Sequence, residues 1–160
     1  MKNITKRLHT KRIILVLIII LWMYVVFYLS SQNGNESQGT SSFIVNIVAS
    51  IYTKLTNIQL TMSNIDNLTY VIRKIAHFTL YFLGSISVFL LFKTYNISKR
   101  RTYIYTLLFC VIYACSDEFH QIFSKDRNGN CIDILIDTFG SALGMIFVDI
   151  VSNIVYKLKE

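Results

Sequence analysis

Four stretches of the chain carry apolar side chains with little interruption: residues 13–29, 75–92, 102–119 and 132–154. The first, Ile13 to Leu29, would rise roughly 25 Å as a helix at ~1.5 Å per residue, enough to cross the hydrocarbon layer of a bilayer. Basic residues precede it, as in a secretory leader. It is longer than the ~7–15 residues of a leader's apolar region, however, and no small-residue cleavage signal follows Leu29. It therefore reads as a retained span. The second run, Ile75 to Phe92, is dense in aliphatic and aromatic residues. The third reaches span length only by continuing from Thr102–Cys115 into the polar string that follows. The fourth contains Asp133, Asp137 and Asp149 around an uncharged middle, Thr138–Val148. Between the first and second runs, Ser30 to Ser42 is polar and glycine-containing, which predicts a loop. Phe43 to Leu60 then sets Ile44, Ile47, Val48, Ile51 and Leu55 at helical spacing, with Asn46, Ser50, Thr53 and Lys54 mostly opposite. This predicts an amphipathic helix at the membrane interface or on the flank of a bundle, too polar for a fifth span.

Composition supports the membrane reading. Of 160 residues, 53% are hydrophobic and only 16% charged, yet the formal net charge is +7. A soluble domain carries about 25% charged residues. The basic residues lie between apolar runs, which excludes the clustered basic face of a nucleic-acid binder. The cysteines, Cys110, Cys115 and Cys131, are odd in number and do not form a disulfide framework. Basic residues also set the orientation. The amino-terminal tail, the 93–101 loop and the carboxyl-terminal tail hold eleven of the sixteen, opposed only by Asp149 and Glu160. By the positive-inside rule these segments are cytoplasmic. On the other side, five basic residues face seven acids. The chain thus reads as an all-α, multi-pass plasma-membrane protein. A basic tail (1–12) precedes a four-helix membrane domain (13–156), with an outer segment (30–72) carrying the 43–60 helix, and a short tail (157–160) follows. Both termini are inside.

With that topology, the outer ends of the second, third and fourth spans bring together Arg73, Lys74, His77 and Tyr81; Asp117, Glu118, His120 and Gln121; and Arg127, Asp133 and Asp137. Ionisable groups at a bilayer's centre cost about 2.5–3.5 kcal/mol each on insertion scales, less near the ends, and usually face protein or water. Arg73, His77 and Tyr81 follow one another at i, i+4. Asp133 and Asp137 make a second such stripe, continued by Gly140, Ser141 and Gly144, whose GxxxG spacing permits close approach of a neighbouring helix. Arg73 and Lys74 would sit at a positive helix end, and Asp117 and Glu118 at a negative one. Each helix thus carries the wrong charge for its own dipole and the right one for its neighbour, which predicts ion pairs between helices.

These strings resemble a known family. RKIAHFTLYFLG (73–84), SDEFHQIF followed by Arg127 (116–127) and DILIDTFGSALG (133–144) are similar, in order and spacing, to the signature blocks of the VanZ-like membrane proteins, as is SSQ (30–32) after the first span. The resemblance implies a four-span protein and a link to low-level resistance against the glycopeptide teicoplanin. Two positions depart from the family pattern: Leu80 replaces a glutamate, and Lys125-Asp126 replaces a Pro-Gly pair.

Three roles suit the constellation. It can be a structural clamp on three helix ends. It can be a recognition site, with Arg73, Lys74 and Arg127 receiving an anionic lipid or cell-wall precursor headgroup. Or it can be catalytic, with His77 or His120 as base and Asp117, Glu118 or Asp133 as orienter, acting on a lipid-linked substrate. No serine nucleophile motif or phosphate-binding glycine loop is present. No metal site is expected, since H-E-x-x-H and paired-cysteine spacings are absent and Asp117-x-x-His120 is a weak signal. No cofactor is implied. The partners expected are membrane lipids, an anionic headgroup and, through GxxxG, a second copy of the chain.

Overall fold

A computed structural model describes residues 2–31, 34–123 and 130–158, excepting the side chains of residues 2–4, 34–38 and 40. Within them the chain forms five helices: α1 (Lys2–Ser31), α2 (Gly34–Thr56), α3 (Met62–Lys93), α4 (Lys99–Gln121) and α5 (Cys131–Lys157). Absence of proline leaves the helices unbroken, and polar caps fix their starts. Thr61 accepts from the Asn64 amide, Ser98 from that of Arg101 and Asn130 from that of Ile132. Asn57 and Asn96 take positive φ at the ends of α2 and α3, a conformation asparagine tolerates better than most residues.

α1, α3 and α5 are long and apolar enough to cross a membrane. α1, α3, α4 and α5 extend beyond the apolar runs that announced them, whereas α2 starts earlier and stops at Thr56, short of the predicted end at Leu60. The expected loop at 30–42 is corrected most: α1 continues to Ser31 and α2 already begins at Gly34. Serine and glycine composition does not forbid helix without proline, and the hydroxyls fold back onto the helix, Ser31 donating to the Tyr28 carbonyl and Ser42 to that of Gly39. The predicted apolar stripe of α2 does not pack on the bundle. Ile44, Ile47, Ile51 and Leu55 point away from the bundle, and Val45, outside the stripe, is the buried contact. α2 is thus apolar on more than one side, and its inner contact lies off the stripe.

α4 packs against α1, α3 and α5. α3 and α5 run parallel and make the most extensive contact, because Gly140 and Gly144 of α5 lie directly on the Phe78 and Phe82 carbonyls of α3. α1 meets α3 antiparallel. Trp22 fills a notch at Gly84, its indole N–H donates to the Leu80 carbonyl at 2.9 Å, and its ring touches Tyr81 and Tyr113. Ile19, Val26, Val88 and Ala114 complete this core. The outer faces stay apolar, including a stripe on α4 formed by Ile104, Leu108, Ile112 and Phe119.

Polar contacts concentrate at the two ends of the bundle. At one end Lys99 pairs with Asp149 at 2.6 Å and Tyr103 donates to the same carboxylate, while Arg12 donates to the Thr94 hydroxyl and carbonyl that close α3 and lies over the Tyr95 ring. The other end holds the acid-rich cluster. Asp137 and Asp149 are separated by about 18 Å along α5, and the interior between them is aromatic and aliphatic except for the buried hydroxyls of Ser85, Thr106 and Ser141.

Candidate functional site

The cluster is assembled from the start of α5, the end of α4 and the first half of α3. The i, i+4 spacing of Asp133 and Asp137 turns both toward α3, and the glycines beyond them let α3 come close enough to meet them. Lys74 pairs with Asp133 while its ammonium lies 4.8 Å above the Tyr70 ring. One turn deeper, His77 Nδ1 is 3.6 Å from Asp137 Oδ2, close enough for charge attraction and too long for a hydrogen bond. Pairing between helices is therefore present on α3 and α5, whereas the pairing that the dipole placement predicted, Arg73 and Lys74 of α3 with Asp117 and Glu118 of α4, is absent among the described residues.

The carboxyl end of α4 supplies Asp117 and Glu118, both buried. Gln121 extends back over them, its amide 3.4 Å from Asp117 Oδ2 and 3.3 Å from Glu118 Oε1, as their i, i+4 and i, i+3 spacing predicts. The Asn130 amide, at the N-cap of α5, donates to Glu118 Oε2 at 2.8 Å and ties the two helix ends together. The result places ligand atoms of His77, Asp117, Glu118 and Asp137 all within 4.8 Å of one another. This four-residue grouping was missed from sequence. All four residues were individual candidates, but their donors come from three helices, and local spacing motifs cannot reveal such a set. The expectation of no metal set rested on those motifs alone.

Several side chains remain unsatisfied. Asp137 is fully buried, and neither of its carboxylate oxygens has a hydrogen-bond partner among the described residues; Asp117 Oδ1, His77 Nδ1 and the Tyr81 hydroxyl share that condition. Tyr81 is wedged between Trp22 and Tyr113 and completes the floor of the cluster. Buried polar atoms without partners cost about 1–3 kcal/mol each, so the arrangement is poor as a self-contained clamp. Among the described residues, Lys74 and His77 are the basic groups paired with carboxylates at this end, and Lys74 is taken by Asp133.

Of the other sequence candidates, Arg73 is partly buried beside Lys74 and makes no ion pair among the described residues. His120 turns away from the acids, with its ring 4.3 Å from Phe27 of α1. Arg127 lies outside the described residues, as do Lys125, Asp126 and Gln32. Leu80 contributes its backbone carbonyl to Trp22 and its side chain to the core.

The Lys74–Asp133 pair allows a direct test. Both side chains are mostly buried (17% and 13% exposed), so either alanine substitution is expected to cost about 2 kcal/mol by stranding the partner, and the double substitution less than the sum by about 1 kcal/mol. Denaturant unfolding in detergent micelles measures this; strictly additive losses would mean that the pair is not coupled.

The family model described as VanZ/LLP1 matches residues 15–152 of the chain, covering the whole cluster. No curated protein and no solved structure matches it.

Proposed function

The chain belongs to the VanZ/LLP1 family, and from that membership and the cluster's geometry we propose that it is a four-span plasma-membrane protein protecting the cell envelope against glycopeptide antibiotics such as teicoplanin. In this reading α4 is the fourth span. Its acids are sheltered by α3 and α5, and its outward stripe of Ile104, Leu108, Ile112 and Phe119 meets lipid. Both termini are cytoplasmic, where basic residues outnumber acids, and α2 lies at the outer interface. The cluster then opens at headgroup level on the outer face and binds an anionic lipid or cell-wall precursor headgroup. One observation carries the recognition reading: Arg73, next to Lys74 on α3, makes no ion pair among the described residues, whereas Lys74 is already neutralised by Asp133. A planar fork of donors suits a phosphate or carboxylate.

A second reading has its own support. His77 beside the buried Asp137 is the base-and-orienter arrangement of an acid–base enzyme acting on a lipid-linked envelope substrate. Expression of site variants in a teicoplanin-sensitive strain, with susceptibility measured beside membrane abundance, tests both readings. Recognition predicts that Arg73→Ala removes protection at unchanged abundance while His77→Asn retains it. Headgroup binding should fall roughly tenfold or more, as for a lost charge-assisted hydrogen bond of about 1.5–3 kcal/mol. Catalysis predicts that His77→Asn alone abolishes protection. Loss of abundance in every variant would support the clamp and count against both.

A further inference from the structure

Three carboxylates buried at one helix junction require a counter-charge that the neighbouring side chains do not provide among the described residues. Asp117, Glu118 and Asp137 are each at most 5% exposed, Lys74 is committed to Asp133, and His77 is the remaining basic group paired with them among the described residues. Charges in such a place are paired or coordinate a metal. We infer that His77, Asp117, Glu118 and Asp137 form a binding site for one divalent transition-metal ion of the zinc class.

The pattern of satisfied and unsatisfied atoms fits that assignment. Gln121 and the Asn130 amide donate to Asp117 Oδ2 and to both oxygens of Glu118, which orients these carboxylates as outer-shell donors orient metal ligands. The atoms left without partners are Asp117 Oδ1, both Asp137 oxygens and His77 Nδ1. Asp137 is fully buried and is the second, independent sign of a ligand, because its carboxylate faces the cluster with neither oxygen hydrogen-bonded. The donors lie within 4.8 Å of one another. Tetrahedral zinc ligands at about 2.1 Å are about 3.4 Å apart, a gap that side-chain rotation closes without moving a helix. One imidazole with three carboxylates favours zinc or manganese over calcium and magnesium, which take oxygen donors. The site does not depend on the headgroup reading, since the metal can be held by a protein that binds no headgroup.

The test uses the full chain in detergent, stripped with a chelator and titrated separately with Zn2+, Mn2+, Mg2+ and Ca2+, with bound metal counted after removal of free ion. One zinc per chain is expected, bound far more tightly than magnesium or calcium. Asp137→Asn should weaken zinc binding at least tenfold, whereas Asp66→Asn, at an exposed position of α3, should leave it unchanged. Substoichiometric zinc on the wild-type chain, wild-type affinity in a folded Asp137→Asn variant, or magnesium bound as tightly as zinc would each overturn the site. Should that variant not accumulate, Co2+ added to the wild-type chain decides: a visible d–d spectrum of low-symmetry N/O coordination is expected, and only the weak spectrum of aqueous Co2+ overturns the site. Loss of teicoplanin protection with stoichiometric zinc retained would count against the functional reading and leave the metal site standing.

Discussion

Replacing Gly144 with alanine is expected to destabilise the protein by about 3 kcal/mol, while the same substitution at Gly39 is neutral or slightly stabilising. A methyl group on Gly144 would run into the Phe82 carbonyl and the Ser85 hydroxyl. The first obstacle is backbone, which cannot rotate aside, so α3 and α5 must separate. Overpacking typically costs 1–3 kcal/mol, and the upper end applies when backbone is in the way. Separation would also pull Asp137 away from His77, because that contact sits less than two turns before Gly144 on the same face. Gly140→Ala should behave similarly, with the Phe78 carbonyl 2.5 Å from its added carbon. Gly39, on α2, has open space around it, and alanine there improves helix propensity by roughly 0.5–1 kcal/mol. Thermal unfolding of the three variants in one detergent distinguishes the cases. Equal midpoints for Gly144→Ala and Gly39→Ala would show that the helices do not meet at the glycines.

The glycine contact also marks how far sequence alone could lead. The two i, i+4 stripes and the GxxxG run identified which side of α3 and α5 faces inward, whereas charge placement relative to helix dipoles pointed to pairing of α3 with α4, and the ion pair forms between α3 and α5. These inferences need only the geometry of one helix at a time. The height and rotation of one helix against another are fixed by packing, and here sequence was less informative. It did not distinguish which cation takes which acid: Lys74 is neutralised by Asp133, and Arg73 makes no ion pair among the described residues. Nor did it reveal that His120, three residues after Asp117, turns toward Phe27 instead of the acids. Convergence of His77, Asp117, Glu118 and Asp137 depends on three helices at once. The start of α2 was obscured for a different reason: polar composition marks exposure, and an exposed helix shares it with a loop. α4 shows the converse. Its charged ends dilute an apolar middle, so the helix is less apolar than its neighbours while presenting an unbroken outer stripe.

Trp22→Ala is expected to be comparably damaging, by about 3 kcal/mol, and to affect the site from a distance. Trp22 is 7% exposed and holds α1 against α3 and α4 through three contacts: the notch at Gly84, the hydrogen bond to Leu80 and the rings of Tyr81 and Tyr113. Large-to-small changes of this type cost ~3–5 kcal/mol in soluble cores. The lower end applies in a membrane, where an unpacked helix still contacts apolar lipid and only packing and hydrogen bonding are lost. Tyr81 transmits the change. It is fully buried, stacked edge-on against Trp22, and on the same α3 stripe as His77. Loss of the indole lets Tyr81 move into the vacated space and loosens the floor beneath Asp117 and Asp137. Trp22→Phe keeps most of the ring packing and loses the hydrogen bond, so it should cost only about 1 kcal/mol. The ordering wild type, Trp22→Phe, Trp22→Ala is therefore expected in unfolding midpoint. If Trp22→Ala unfolded with the wild-type chain, α1 would be an anchor beside the bundle instead of a wall of the site.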